Sequence, residues 1–290
     1  MIDLHSHTTA SDGVLAPAEL INLALERGLS ALGVTDHDST EGVRPAIEAA
    51  RGTGLTVVPG VELNTDIARG EVHVLGYFVR PDRASFQVRL AELRRGRFER
   101  GRQMVEKLAA AGAPISWQRV QEIAGEGAIG RPHVAQALIE VGHVATTQEA
   151  FERYIGQGRP AYVERVRFGP EDAVRTVLAA GGAPVLAHPV LSAPVMAGEP
   201  EPMRAALEAL EPRLDGLQAA GLRGLEVYYA GYGEALVDAL AEVADRRGLI
   251  RTGGSDFHGG GRVKADLGGV PIPADIAAAT VDRLRAAAQP

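Results

Sequence analysis

Short apolar runs alternate with helical spacing through the first part of the chain. Ile2 to Leu4 reads as a strand. Residues 16–27 carry apolar side chains at helical intervals, with Pro17 suited to a first turn and Gly28 to a stop. Ala31 to Thr35 reads as a buried strand, 40–50 returns to helical spacing, Leu55 to Val61 is a strand running into Glu62, and 71–78 is a strand carrying His73. Such alternation favours a parallel sheet or a barrel, because helices supply the crossovers between parallel neighbours.

The rhythm changes after about Ser85. Residues 90–111, 117–124, 133–141 and 148–154 follow one another with helical spacing and no convincing strand between them, which predicts a helical insertion over 85–158. The alternation then resumes: a helix over 170–180, a strand over 183–187 ending at His188, a strand over 224–229, a helix over 233–247 and a strand over 249–254 meeting Ser255-Asp256-Phe257-His258. Seven strand candidates suggest an α/β chain built as a (β/α) barrel short of the usual eight. Its expected domain covers 1–84 and 159–290. Met196 to Pro202 reads as a flexible loop, and no internal repeat is evident.

Composition narrows the chemistry. The 290 residues carry a net charge of −7, which argues against coating broad stretches of duplex nucleic acid while leaving local basic pockets open. With no cysteine, thiolate catalysis and zinc-thiolate sites are excluded, so any metal must sit on histidine and carboxylate. No run approaches 18 apolar residues and the chain opens directly in a strand, so no membrane association is expected and a cytoplasmic location is.

Histidine placement then becomes informative. Of eight histidines, His5, His7, His37, His73, His188 and His258 lie in or just after strands, and Asp12, Glu62 and Asp256 fall near the same strand ends. Residues i and i+2 of a strand point to one side, so His5 and His7 can face one ion together. Six imidazoles and three carboxylates are too many for one ion. They suit two or three divalent ions, Mn²⁺ foremost with Fe²⁺ or Zn²⁺ as alternatives, and such a cluster can activate water against a phosphate ester. Asp36 and Asp38 flank His37 either as partners that orient imidazoles or as caps for the following helix.

His5-x-His7, Asp12-Gly13, Thr35-Asp36-His37-Asp38, Glu62, the His73 strand, Ala187-His188-Pro189 and Ser255-Asp256-x-His258 resemble the four motifs of the PHP (polymerase and histidinol phosphatase) family. The resemblance implies the PHP fold, a distorted seven-stranded TIM-like barrel. It also implies a trinuclear metal site made by His5, His7, Asp12, His37, Glu62, His73, His188, Asp256 and His258. Members of this kind hydrolyse phosphomonoesters or serve as nuclease modules beside DNA polymerases.

The insertion holds two further candidates. Residues 94–102 contain five arginines, a solvated helix face or an anion clamp, since the guanidinium fork matches phosphate oxygens. Residues 125–133 hold three glycines ahead of Arg131-Pro132-His133, an interhelical connection or an anion site at a helix start. His143 reads as structural. These stretches resemble the insertion of the PHP subfamily that removes the 3′-phosphate of nucleoside 3′,5′-bisphosphates, which implies that the insertion over 85–158 is a substrate-binding lid with contacts at Arg100, Gly101, Arg102, Arg131 and His133.

The expected activity is therefore a metal-dependent phosphatase acting on a small phosphorylated nucleotide. His37 or His258 is the imidazole expected to protonate the leaving oxygen. A histidinol-phosphate phosphatase, a 5′-3′ exonuclease on short RNA and a non-catalytic metal-binding accessory subunit are the alternatives.

Overall fold

Seven strands lie in chain order around one sheet: β1 (Ile2–Asp3), β2 (Ala31–Val34), β3 (Thr56–Asp66), β4 (Glu71–Tyr77), β5 (Ala183–Leu186), β6 (Gly224–Tyr229) and β7 (Ile250–Gly254). The computed structural model describes residues 1–67, 71–125, 129–164, 168–191, 193–260 and 265–288. Backbone hydrogen bonds from Leu4 to Gly253 (3.1 Å) and from His7 to Phe257 (2.9 Å) join β1 to β7 and bring the sheet round into a barrel. This join needs close approach. A Cβ on Gly254 would stand 2.4 Å from the backbone nitrogen of His5.

One strand departs from the parallel pattern. β4 is antiparallel to both β3 and β5. Only four residues separate Asp66 from Glu71, too few for a crossover helix, so the chain can only turn back. The reversal matters for the site. It sets His73 opposite Asn64, close to Glu62 and at the same end of the barrel as the parallel strands' C-termini.

The barrel interior packs Ile2, Leu4, Val58, Leu75, Tyr77 and Val185, and the Tyr77 hydroxyl donates to the Leu4 carbonyl at 3.0 Å. Outer helices cover it. Pro17–Glu26 buries Leu20, Ile21 and Ala24 on one face, and Pro170–Ala179 buries Val174 and Val177. Each starts with a proline whose missing N–H would have had no partner in the first turn.

Two helices were not legible as such: Pro200–Ala220 and Ala274–Ala287. The first begins inside the stretch expected to be a loop, and the short helix Ala193–Met196 ends at the first residue of that stretch. Pro200 and Pro202 fit its opening turn, while Leu210, Leu214 and Leu217 at helical intervals form its buried face.

Contacts divide the chain into two compact units, 1–86 with 169–290, and 87–168. The smaller unit has its own core of Met104, Leu108, Val120, Val134, Leu138 and Ile155, drawn from Ala84–Ala110, Trp117–Ala124, Arg131–Glu140 and a π-turn at Phe151–Ile155. Among the described residues no helix is long and apolar enough to cross a membrane.

Leu138 is fully buried in the smaller unit's core. Leu138→Ala is expected to cost about 2–5 kcal/mol there. Hydrogen exchange should then rise across 104–155, and a change confined to the barrel amides would contradict the division.

Candidate metal centre

The loop after β1 delivers His5 and His7, both with no exposed surface, to the end of the barrel. Between them Ser6 points the other way, as strand alternation requires, and its hydroxyl donates to the Gly33 carbonyl at 2.6 Å. After β2, Asp36 shapes the loop that carries Asp12. Its carboxylate accepts from the Thr8 N–H (2.7 Å), the Thr8 hydroxyl (2.8 Å) and the Ser11 hydroxyl (2.6 Å). Asp38 accepts from the Asn64 N–H at 3.4 Å. The helix Val43–Ala49 starts on Gly42 without a side-chain cap, so both aspartates serve the loops rather than a helix start.

Everything converges on Glu62. Its Oε2 lies 3.3 Å from His5 Nε2, 3.3 Å from His7 Nε2 and 3.0 Å from His37 Nδ1, while Oε1 lies 2.7 Å from His73 Nδ1 and 3.1 Å from His188 Nε2. Asp256 Oδ1 stands 3.2 Å from His5 Nε2 and 3.1 Å from His7 Nε2. Asp12 Oδ1 stands 3.2 Å from His258 Nε2 and 3.7 Å from His7 Nδ1. All nine side chains singled out in the sequence therefore meet at one strand end.

These atoms form three overlapping sets of donors: His7, Asp12, His37 and His258; His5, His7, Glu62 and Asp256; and His37, Glu62 and His73. Two donors each about 2.1 Å from one ion stand about 3.0–3.4 Å apart at octahedral or tetrahedral angles, the spacing seen here. Four of the atoms, His5 Nε2, His7 Nε2, Asp12 Oδ1 and Glu62 Oε2, are buried with no hydrogen-bond partner among the described residues. Buried polar atoms left in this way are costly, and divalent ions would satisfy them. The nitrogen and oxygen set thus fits such ions.

Electrostatics point the same way. Burial pushes the carboxyls of Glu62, Asp12 and Asp256 up, but the surrounding imidazoles outweigh it and hold all three well below the usual range. Burial pulls His7 and His73 down, yet the facing carboxylates push them up to about 10 and about 9. For His37 burial wins and lowers it to about 3.

Two supporting residues lay outside the sequence reading. Glu226, fully buried on β6, accepts from His5 Nδ1 at 3.0 Å and from the His188 backbone N–H at 2.7 Å. The first bond fixes the His5 tautomer that leaves Nε2 toward the cluster, and the second steadies a residue whose φ of 21° few side chains adopt. Tyr229 donates to Asp256 Oδ2 at 2.7 Å, and Asp256 likewise has a positive φ, 55°. A glutamate within Gly224-Leu225-Glu226-Val227-Tyr228-Tyr229 was the available signal, since a charge in an otherwise buried strand needs a partner.

The insertion residues are placed differently. Arg100 is buried and donates to the Val163 carbonyl at 2.8 Å. Gly101 is a packing residue, because a Cβ there would stand 2.8 Å from Ile129 and 3.2 Å from the Trp117 ring. Arg102 pairs at the surface with Glu99 (3.3 Å) and Glu106 (2.7 Å), as a solvated face would. Arg131 lies over the Phe151 ring at 5.0 Å, and His133 Nδ1 accepts from the Gly130 N–H at 3.0 Å at the helix start. His143 bonds the Pro114 carbonyl at 3.0 Å. Glu126, Gly127 and Ala128 of the glycine loop lie outside the described residues.

Glu62→Ala should lower bound metal below one ion per chain, read by elemental analysis after dialysis. Glu226→Gln keeps the volume but sets an amide donor against one of two donors, so metal affinity should fall about 10–100-fold; affinity equal to the parent protein would contradict the role given to Glu226. Because His7 and His73 hold protons at neutral pH in the ion-free cluster, metal binding at pH 7 should release protons and tighten as pH rises. Calorimetry in buffers of differing ionisation enthalpy measures that release.

The PHP domain model matches residues 3–154. A 3′,5′-nucleoside bisphosphate phosphatase of Chromobacterium violaceum is 36% identical over 273 residues, 92% of this chain and 90% of that protein. A 5′-3′ exoribonuclease of Haemophilus influenzae is 32% identical over 256 residues, 88% and 89% of the two chains. Among solved structures, one described as a candidate metal-dependent phosphoesterase from Bifidobacterium adolescentis superposes with a TM-score of 0.79 at 32% identity, covering 97% of this chain and 96% of that one. The chain belongs to the PHP domain family.

Proposed function

We propose that this protein is a metal-dependent phosphatase that removes the 3′-phosphate of nucleoside 3′,5′-bisphosphates, releasing the 5′-mononucleotide and inorganic phosphate. The observation that carries this reading is the convergence of six imidazoles and three carboxylates on Glu62, within a chain that is 36% identical to a bisphosphate phosphatase over 92% of its length. Two or three divalent ions, Mn²⁺ foremost, would be held by His5, His7, Asp12, His37, Glu62, His73, His188, Asp256 and His258; when bound they lower the pKa of water and neutralise charge on the phosphoryl oxygens.

In the reaction a water oxygen bonds to phosphorus, the bond from phosphorus to O3′ breaks, and the departing alkoxide takes a proton. His258, whose side chain keeps 17% exposure while His5 and His7 keep none, is the imidazole assigned to that proton; His37, which burial lowers to about 3, carries no proton to give at neutral pH. Glu226 and Tyr229 hold His5 and Asp256 in place throughout. Recognition of the non-reacting phosphate is assigned to the helical unit, over 85–158, through Arg100 and Arg131; Gly101, Arg102 and His133 shape the helices that present them.

A second reading is favoured by the Haemophilus influenzae relative: stepwise 5′-3′ cleavage of short RNA by the same cluster. The test is phosphate release, with Mn²⁺ supplied, from adenosine 3′,5′-bisphosphate, 3′-AMP, 5′-AMP, histidinol phosphate and a 5′-phosphorylated RNA oligomer. Preference for the bisphosphate is expected, and Arg131→Met should reduce kcat/KM for it about tenfold or more with a smaller effect on 3′-AMP. Mononucleotide release from the RNA without phosphate release from the bisphosphate would replace the first reading with the second.

A further inference from the structure

One cation in the barrel unit lines a cavity beside the cluster and, among the described residues, forms no ion pair. Arg213, on the helix Pro200–Ala220, is half-buried, and among the described residues it makes no ion pair or hydrogen bond. Its neighbours on the helix are engaged elsewhere. Glu211 pairs with Arg246 and Arg247, and Asp215 pairs with Arg247 at 2.9 Å. Burial draws the Arg213 guanidinium below its usual range, as expected for a cation taken partly out of water without a counter-charge.

The side chain lines a cavity of about 90 Å³ whose other walls include His188, Pro189, Leu191 and Glu71. His188 belongs to the cluster, 3.1 Å from Glu62 Oε1. Glu71 stands 3.9 Å from His73 Nε2 and forms no ion pair with Arg213. A volume of this size corresponds to roughly three waters, enough for a compact tetrahedral oxyanion and too little for a nucleoside.

We propose that Arg213 and this cavity form an oxyanion subsite for the phosphoryl group being cleaved. The guanidinium would donate to a phosphoryl oxygen whose phosphorus sits on the cluster side of His188, which makes Arg213 a catalytic residue contributed by a helix rather than by a strand end. The inference deepens the phosphatase reading and rests on it for the substrate class. The anion site itself is independent of which ester is cleaved.

The test uses the full chain loaded with Mn²⁺ and inorganic phosphate as the probe, titrated calorimetrically into the parent protein, Arg213→Met and Arg213→Lys, each checked for metal content and fold. Phosphate affinity is expected to fall about tenfold or more in Arg213→Met and less in Arg213→Lys, as loss of a hydrogen bond to a charged group implies. On substrates, kcat/KM should fall by similar factors for adenosine 3′,5′-bisphosphate and 3′-AMP. Weakened phosphate binding in a protein that hydrolyses neither nucleotide would leave the subsite standing and remove the substrate assignment. Unchanged phosphate affinity in a folded variant would overturn the proposal. So would a loss confined to the bisphosphate, which would put Arg213 at the non-reacting phosphate. If Arg213→Met does not fold, Arg213→Lys carries the same comparison.

Discussion

The site depends on one buried carboxylate. Glu62 has no exposed surface, yet its two oxygens face five imidazoles, three on Oε2 and two on Oε1. An isolated carboxylate buried this deeply would protonate or unfold its surroundings, and here the histidines keep it ionised. The same carboxylate therefore gathers ligands from β1, β2, β4 and β5 around one point. Removing it would take one facing carboxylate from each of these imidazoles, leaving Asp256 and Asp12 to face His5, His7 and His37.

The barrel topology exists in a form that serves this convergence. Parallel β1, β2 and β3 aim His5, His7, His37 and Glu62 at one end, and the reversal of β4 brings His73 to that same end from the opposite chain direction. Closure of β7 onto β1 adds Asp256 and His258. Residues with positive φ, Asp38, His188 and Asp256, sit where strands leave the sheet for the cluster; the His188 N–H donates to Glu226 and the Tyr229 hydroxyl donates to Asp256, which steadies two of them. Local strain is held where the chemistry needs exact aim.

Much of this was legible because histidine is rare and strand ends are easy to place. His5-x-His7 follows from strand alternation alone, and apolar runs ahead of His37, His188 and His258 mark their strands. Less was legible where a residue acts through another. Glu226 looks like one carboxylate in an apolar strand until the structure pairs it with His5 and His188, and Tyr229 looks like a core aromatic until its hydroxyl meets Asp256. The antiparallel β4 was hidden because a strand's direction is set by the length of its connection, and helix Pro200–Ala220 was hidden by its prolines. Among the insertion residues, a glycine required by ring packing at Gly101 and a surface arginine paired at Arg102 carry the same letters as a phosphate clamp.

At the centre stands the proposal that divalent ions satisfy the donors gathered around Glu62. Anomalous diffraction at the manganese edge, from crystals grown with Mn²⁺, tests it directly. Two or more peaks within about 2.5 Å of donor atoms of Glu62, Asp256, Asp12 or their facing imidazoles are expected. A map with manganese bound elsewhere and none at these atoms would contradict it.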